Sequence, residues 1–372
     1  MKLSRKFGKN MKTGAPRVGV LQAGPLNLIS DVAGVTVGHA TLADAAVQTG
    51  VTVIRPHPGD MFRDKVPAAA TVLNGFAKSV GLLQLGELGV LETPIALTNT
   101  FGVASVAQAQ IRQAIAANPE IGRELPTVNP LVFECNDGYL NDIQAMAVAE
   151  RDYLAACHCA QSGFEQGAVG AGRGMSCFQL KGGIGSASRL TRPIKEMDAA
   201  YTVGTLVLAN FGKLPMLTVA GQAVGRTLQA AADQYDDSPE KGSIILIVAT
   251  DAPLDARQLR RLSLRAGVGL ARTGSVFGHG SGDLALAFST SYTVPHTPER
   301  GMPGVPMLHD VLLDPLFQAC AEAVEQAILN ALWSAASVTG RDGNRRLGIT
   351  EFIPDWPHWL AQTQQTQIQG QT

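Results

Sequence analysis

The chain has 372 residues, of which 45% are hydrophobic and only 16% charged, enough for a large buried core and too apolar for a disordered chain. Thirty Lys and Arg against 31 Asp and Glu leave a net charge of −1. This balance excludes the basic stripe of a nucleic-acid binder and the acidic tail of a polycation partner, and it suits small neutral substrates.

The amino terminus, MKLSRKFGKNMKTG, is basic but carries no apolar h-region, so no secretory signal is expected. Strands are predicted over Val51–Ile54, Ala69–Leu73 and Pro94–Thr98 from short apolar or alternating runs. Helices are predicted from about Ala104 to Ala117 and from about Leu140 to Ala156. Cys157-His158-Cys159 has the look of half a metal site, but no second half follows at zinc-like spacing. The five cysteines, an odd number without a pair of CxxC motifs, read better as buried reduced thiols, which fits an expected cytoplasmic location.

The run GAVGAGRG (167–174) is glycine-rich without the G-x-G-x-x-G spacing of a dinucleotide loop. Further strands are predicted over Tyr201–Leu208, Ser243–Ala249 and Leu284–Phe288, and a helix from about Ala256 to Arg272. The polar stretch Gln234–Lys241 is a candidate exposed linker. Asp314-Pro315 resembles an N-cap followed by Pro at N1, and Leu316, Cys320, Val324, Ile328 and Leu332 then recur at helical spacing. The last dozen residues, AQTQQTQIQGQT, are polar and expected to fray. No run reaches the roughly 18–20 apolar residues of a membrane span. Helices do not alternate strictly with strands, which favours a layered α+β fold, with sheets stacked between helices, over a doubly wound parallel sheet.

Common catalytic signatures are absent. There is no G-x-S-x-G elbow, no GxxxxGK[ST] loop and no HExxH. A Ser-His-Asp triad assembled in space stays open, with no local support. One junction invites chemistry: Gly242-Ser243, where the polar run QYDDSPEK meets the aliphatic strand SIILIVA. A chain cut before Ser243 would carry a hydroxyl nucleophile and an α-amine base on one residue, because such an amine titrates at roughly 7.7–8.0. Glycine before the cut leaves its carbonyl open to attack. By itself the pair is more often ordinary turn chemistry.

Several blocks in order change that weighting. LISDVAGVTVGH (28–39), LETPIALTNT (91–100), NDGYLND (136–142), GAVGAGRGMSCFQLKGGIGSASR (167–189) and the stretch from GSIILIVATDAP through GHGSGDLALAFST resemble the L-aminopeptidase D-Ala-esterase/amidase family, which includes the β-peptidyl aminopeptidases. The resemblance covers nearly the whole chain. It implies a four-layer αββα sandwich similar to amino-terminal-nucleophile hydrolases with different strand connectivity. It also implies a single intertwined domain over 1–372, processed into chains 1–242 and 243–372.

The resemblance further implies a role for each matching residue. Gly242 and Ser243 flank the self-cleaved bond, and Ser243 becomes the nucleophile. Ser281 and Asp283, in GSGD, form the serine and acidic pair behind it; the bland alternative is an Asp capping a glycine-rich turn, and the family often has Glu at this place. Asn210 donates to the oxyanion, or else simply closes a strand. Tyr139 supports the tetrahedral intermediate, or is a half-buried tyrosine at a helix start. Glu134 holds the substrate's amino terminus, or is a capping glutamate. Cys135 stands where Thr is expected and Arg173 where GAGTGM is more familiar, which bears on substrate preference.

The expected activity is that of a self-processing serine aminopeptidase acting on short peptides, amides and esters, including those with β-amino or D-residues, with no cofactor or metal. Partners would be the small substrate alone, without nucleic acid or membrane, in a homotetramer of processed protomers. Two alternatives remain at this point: an acyltransferase of the ornithine-acetyltransferase type, which cleaves before Thr, and an unprocessed non-catalytic relative.

Overall fold

The computed structural model describes residues 14–194, 199–232, 242–353 and 356. The linker expected at Gln234–Lys241 and the polar tail lie outside them. Two sheets pack face to face. The smaller has the strand order β1 (Thr36–Asp44), β2 (Val47–Arg55), β4 (Ile95–Asn99), β5 (Val132–Cys135), with only the last pair parallel. The larger is built on β3 (Asp64–Gly75), β9 (Gly282–Ser289), β8 (Ser243–Thr250), β7 (Thr202–Asn210) and β6 (Gly183–Leu190) in that order. In it β8 and β9 run parallel and the other pairs antiparallel.

Alternation along the strands sorts the core into layers. In β8, Ile245, Ile247 and Ala249 fill the space between the sheets, together with Leu206 and Leu208 of β7 and Phe133 and Cys135 of β5. Ile244, Leu246 and Val248 point the other way, onto helices α3 (Ala256–Arg272) and α4 (Asp314–Ser334). On the far side of the smaller sheet, Val51, Val53 and Ala96 pack against α1 (Val103–Ala117) and α2 (Glu150–His158). The order of layers is helix, sheet, sheet, helix. Burial on both faces explains why β8 reads as an unbroken aliphatic run rather than an alternating one.

Helix α3 begins where Asp255 accepts the Gln258 N–H (2.7 Å) and Gln258 returns a bond to the Asp255 N–H (3.2 Å), a reciprocal cap that satisfies two otherwise orphaned donors. Helix α4 lies directly on β6 because Gly185 has no side chain; a Cβ there would sit 1.9 Å from the Ala327 carbonyl oxygen. No helix among the described residues is long and apolar enough to cross a membrane.

One predicted element is corrected. The helix expected from Leu140 starts only at Glu150. The residues before it are held in a turn, where the Leu140 and Asn141 N–H groups both bond the Asp137 carbonyl (3.1 and 3.0 Å) and Met146 takes a positive φ of 45°.

Candidate active site

The ends of three strands bring together residues that are far apart in sequence. Antiparallel pairing of β7 with β8 sets Asn210 opposite Ser243, and parallel pairing of β8 with β9 sets Gly282 beside Ser243. Ser243 precedes Ile245 and Asn210 follows Leu208 by two positions, so both side chains share the face that looks into the space between the sheets. The nucleophile candidate therefore stands at the end of the inter-sheet core, where its strand is rigid. Its Oγ accepts the Gly282 N–H at 3.1 Å. Among the described residues no histidine bonds this hydroxyl.

Gly242 is pressed against β7. A side chain there would place its Cβ 2.4 Å from the Asn210 carbonyl oxygen and 2.5 Å from Phe211 Cα, so only glycine fits.

Just beyond Gly282, the Ser281 hydroxyl donates to Asp283 Oδ1 at 2.5 Å, and both residues are buried. Their turn is pinned by Asn74 at the end of β3, whose amide donates to the Gly278 and Ser281 carbonyls (2.8 and 2.5 Å). A register shift in β3 between the pairs Asp283–Asn74 and Leu284–Val72 brings Asn74 to that position.

The Asn210 amide has a fixed orientation. Its Oδ1 accepts the Ser176 N–H at 2.8 Å, and its Nδ2 donates to the Asn136 carbonyl at 3.0 Å. An amide nitrogen carries two hydrogens, so one remains for a ligand. The loop that supplies Ser176 is stapled by the buried Lys181, whose ammonium spends three donors on the carbonyls of Gly172 (3.0 Å), Met175 (2.7 Å) and Gly182 (2.7 Å). Burial holds that ammonium well below the usual lysine range.

Glu134 is buried on β5. Its carboxylate accepts the Lys78 N–H (2.8 Å) and the Thr100 hydroxyl, and among the described residues no Lys or Arg pairs with it. Tyr139 is 41% exposed on the rim, in the Asp137 turn rather than at a helix start. The Arg346 guanidinium covers its ring at 3.7 Å and donates through Nε to Ser176 Oγ at 3.2 Å. Tyr139 is thereby linked through Arg346 and Ser176 to Asn210.

Beneath Tyr139, burial raises the Asp137 carboxyl to about 6, against hydrogen bonds from Thr49, Asn141 and Asn99. Burial, with Glu134, Asp283 and Asp137 nearby, pushes the Cys135 thiol well above its ordinary value, which suits an inert packing residue and not a nucleophile. Arg173 donates from Nε to Gln48 at 2.7 Å. Among the described residues no group of three or more His, Cys, Asp or Glu is arranged to hold a metal ion.

The predicted Ser243, Asn210, Ser281 and Asp283 thus meet at the ends of β7, β8 and β9, with Tyr139 at the rim and Glu134 on β5. Asn74, Ser176, Lys181 and Asp137 were not singled out from the sequence. Asn74 and Lys181 act on main-chain carbonyls, Ser176 through its own N–H, and Asp137 through side chains mostly distant in sequence, none of which leaves a periodicity or local motif behind.

A buried serine flanked by an oriented amide, a backbone donor and a serine–carboxylate pair is the equipment of a serine hydrolase. The chain belongs to peptidase family S58, whose family model matches residues 27–346. It is 37% identical over 353 residues to the β-peptidyl aminopeptidase BapA of Sphingosinicella microcystinivorans, covering 89% of this chain and 86% of that one. The crystal structure of the PH0078 protein from Pyrococcus horikoshii OT3 superposes with a TM-score of 0.86 at 45% identity, covering 94% of this chain and 97% of that one. The L-aminopeptidase D-Ala-esterase/amidase of Ochrobactrum anthropi, a prototype for the serine aminopeptidases and a new variant among the Ntn hydrolase fold, superposes at 0.82 with 31% identity over 92% of this chain and 97% of that one. The protein is accordingly a serine aminopeptidase with that variant of the Ntn hydrolase architecture.

Proposed function

We propose that the chain cuts its own Gly242–Ser243 bond and then acts as an amino-terminal-serine aminopeptidase on short peptides, amides and esters. The observation that carries this is the register that sets Ser243 between Asn210 and Gly282. Names of relatives add β-amino residues to the substrates worth testing, since two of them are β-peptidyl aminopeptidases.

In the uncut chain the Ser243 hydroxyl attacks the Gly242 carbonyl, collapse of the adduct breaks the Gly242–Ser243 C–N bond with the hydroxyl proton passing to the departing Ser243 amine, and water then hydrolyses the resulting ester to free the Ser243 hydroxyl and the Gly242 carboxylate. In turnover, Glu134 holds the substrate's ammonium and so sets which carbonyl reaches Ser243. The hydroxyl attacks that carbonyl while its proton passes to the Ser243 α-amine. Asn210 Nδ2 meets the developing oxyanion, a contribution of about 3 kcal/mol for one such donor. The Gly282 N–H keeps Oγ in place, and Ser281 with Asp283 orients the α-amine. Collapse expels the leaving amine with the proton from the α-ammonium. Water then attacks the acyl-enzyme ester, giving up its proton to the same amine, and the released carboxylic acid leaves Ser243 free.

Assembly into tetramers of processed protomers and a cytoplasmic location belong to the same proposal; five free cysteines suit a reducing compartment. Intact-mass measurement decides the central point. Wild type should give two chains, 1–242 and 243–372, and Ser243→Ala a single 39.0 kDa chain. An uncut wild type, or a mutant cut equally well, overturns the proposal.

A further inference from the structure

The smaller sheet and its outer helices line an open cavity of about 350 Å³ near the start of β3, whose other end pairs with Gly282 beside Ser243. It lies where β2 ends and where β3 and β4 begin, and Arg55, Phe62, Pro94, Gln113, Ala117 and Cys157 are among its walls. Strand β4 separates the cavity wall at Pro94 from Thr100, the partner of Glu134, by roughly 20 Å at the rise of an extended chain. Cys157 and His158, two of the three residues of the Cys-His-Cys motif that resembled half a metal site, line the cavity.

The charges in this cavity are unevenly committed. Glu92 spends one oxygen on Lys65 Nζ (2.6 Å) and the other on the Asn129 N–H (2.9 Å). Asp60 accepts the Phe62 and Arg63 N–H groups on Oδ1 (2.9 and 3.3 Å) and the Asn118 amide on Oδ2 (2.6 Å). Both carboxylates are therefore satisfied by fixed protein donors. Arg55 is not matched in this way. Among the described residues it makes one hydrogen bond, from Nη2 to the Pro58 carbonyl at 3.2 Å, and no ion pair. A guanidinium has five N–H donors, so the half-buried Arg55 lines the cavity with donors not committed to a described protein partner. Gln113, whose carbonyl is held by the Tyr153 hydroxyl at 2.7 Å, adds amide N–H groups. Burial raises the Cys157 thiol, and Tyr153, Gln113 and then Arg55 pull it part of the way back down. The other walls include Met61, Phe62, Pro94 and Ala114.

We propose that this cavity is a second ligand site, taking a small organic carboxylate whose acid group forks onto Arg55 and whose apolar body lies against Phe62 and Pro94. Arginine matches a carboxylate with two parallel N–H···O bonds, and one uncommitted cation suits one negative charge better than two. The volume lies within the range of small-molecule pockets. Because the site is remote from Ser243, its occupancy is separable from catalysis.

Calorimetric titration of the full-length protein with hexanoate, benzoate, hexanamide and inorganic phosphate tests this. Hexanoate or benzoate should bind saturably at one per chain, and hexanamide and phosphate at least about tenfold more weakly, the loss expected when a charged hydrogen bond is missing. Arg55→Gln should weaken carboxylate binding by about tenfold or more while hydrolysis of a small aminoacyl amide is unchanged. Should Arg55→Gln not fold, Ala114→Trp decides, since Ala114 is a half-buried wall residue and the larger side chain fills the cavity while leaving the guanidinium in place; it should abolish binding. The proposal is overturned by the lack of saturable carboxylate binding up to about 10 mM. It is equally overturned by phosphate binding as tightly as the carboxylates, or by undiminished binding in whichever of the two variants folds.

Discussion

Asn210 and Ser243 face each other across an antiparallel ladder, one the last residue of β7 and the other the first of β8. The ladder makes their spacing a property of the larger sheet and not of a loop, which is how a hydrogen-bond donor can be held ready for charge that exists only in the transition state. Asn210→Ala should therefore lower kcat by about 10²–10³-fold with little change in KM. Steady-state kinetics on an aminoacyl amide reads this split, and an effect confined to KM would remove Asn210 from the oxyanion site.

Ser281 and Asp283 form a short, buried hydroxyl–carboxylate bond. If that pair steers the Ser243 amine, Asp283→Asn should reduce kcat by about 10²-fold and displace the limb of the kcat/KM–pH profile set by the base. Ser281→Ala should act in the same direction. Asp283→Glu, which keeps the charge on a longer arm, should retain more turnover than Asp283→Asn. A pH profile identical to wild type in Asp283→Asn would assign the pair to the turn alone.

At Gly242 the expected outcome concerns both folding and cleavage. An added methyl group would meet the Asn210 carbonyl and Phe211 Cα, both backbone atoms with little room to yield. Gly242→Ala should cost about 1–3 kcal/mol of stability as overpacking and displace the bond from Ser243. Thermal denaturation together with intact mass checks it: a lowered midpoint with the chain uncut is expected, and a normally processed, equally stable variant would show that the contact is readily relieved.

Glu134 is held on both oxygens, by the Lys78 N–H and the Thr100 hydroxyl, without a cation among the described residues. Glu134→Gln should raise KM for substrates with a free amine by roughly 10–100-fold, the worth of a charge-assisted hydrogen bond. The preference for a free amine over the same substrate with its amine acetylated should shrink accordingly. Kinetics on the matched pair of substrates gives the answer.

What could be read from the chain itself follows physical lines. Strand β8 and helix α3 were legible because one is continuously aliphatic and the other combines an apolar stripe with a cap at Asp255. The segment after Leu140 misled because its spacing suits a helix, while the Asp137 carbonyl and the Asn141 side chain engage it in a turn. At the site, Ser243, Asn210 and the Ser281–Asp283 pair were accessible only through the succession of blocks along the whole chain, since each alone has a common structural explanation. Lys181 and Ser176 were illegible for a different reason. Lys181 bonds main-chain carbonyls and Ser176 offers Asn210 its own main-chain N–H, and a main-chain group takes part without leaving any residue type as a trace.

Asp137 supplies a pH signature of the region beneath Tyr139. Burial raises its carboxyl from the ordinary 3.8 to about 6. Between those values the folded protein holds a proton that the unfolded chain has lost, so stability falls as pH rises through this window and levels off above about 6. The difference amounts to on the order of 3 kcal/mol if the unfolded carboxyl is unperturbed. Asp137→Asn keeps one acceptor and the shape but cannot ionise, so its midpoint should lack this component. Thermal midpoints of both proteins from pH 4.5 to 7.5 should show the wild type losing ground to Asp137→Asn as pH rises. Parallel curves would mean that Thr49, Asn141 and Asn99 compensate the buried charge fully.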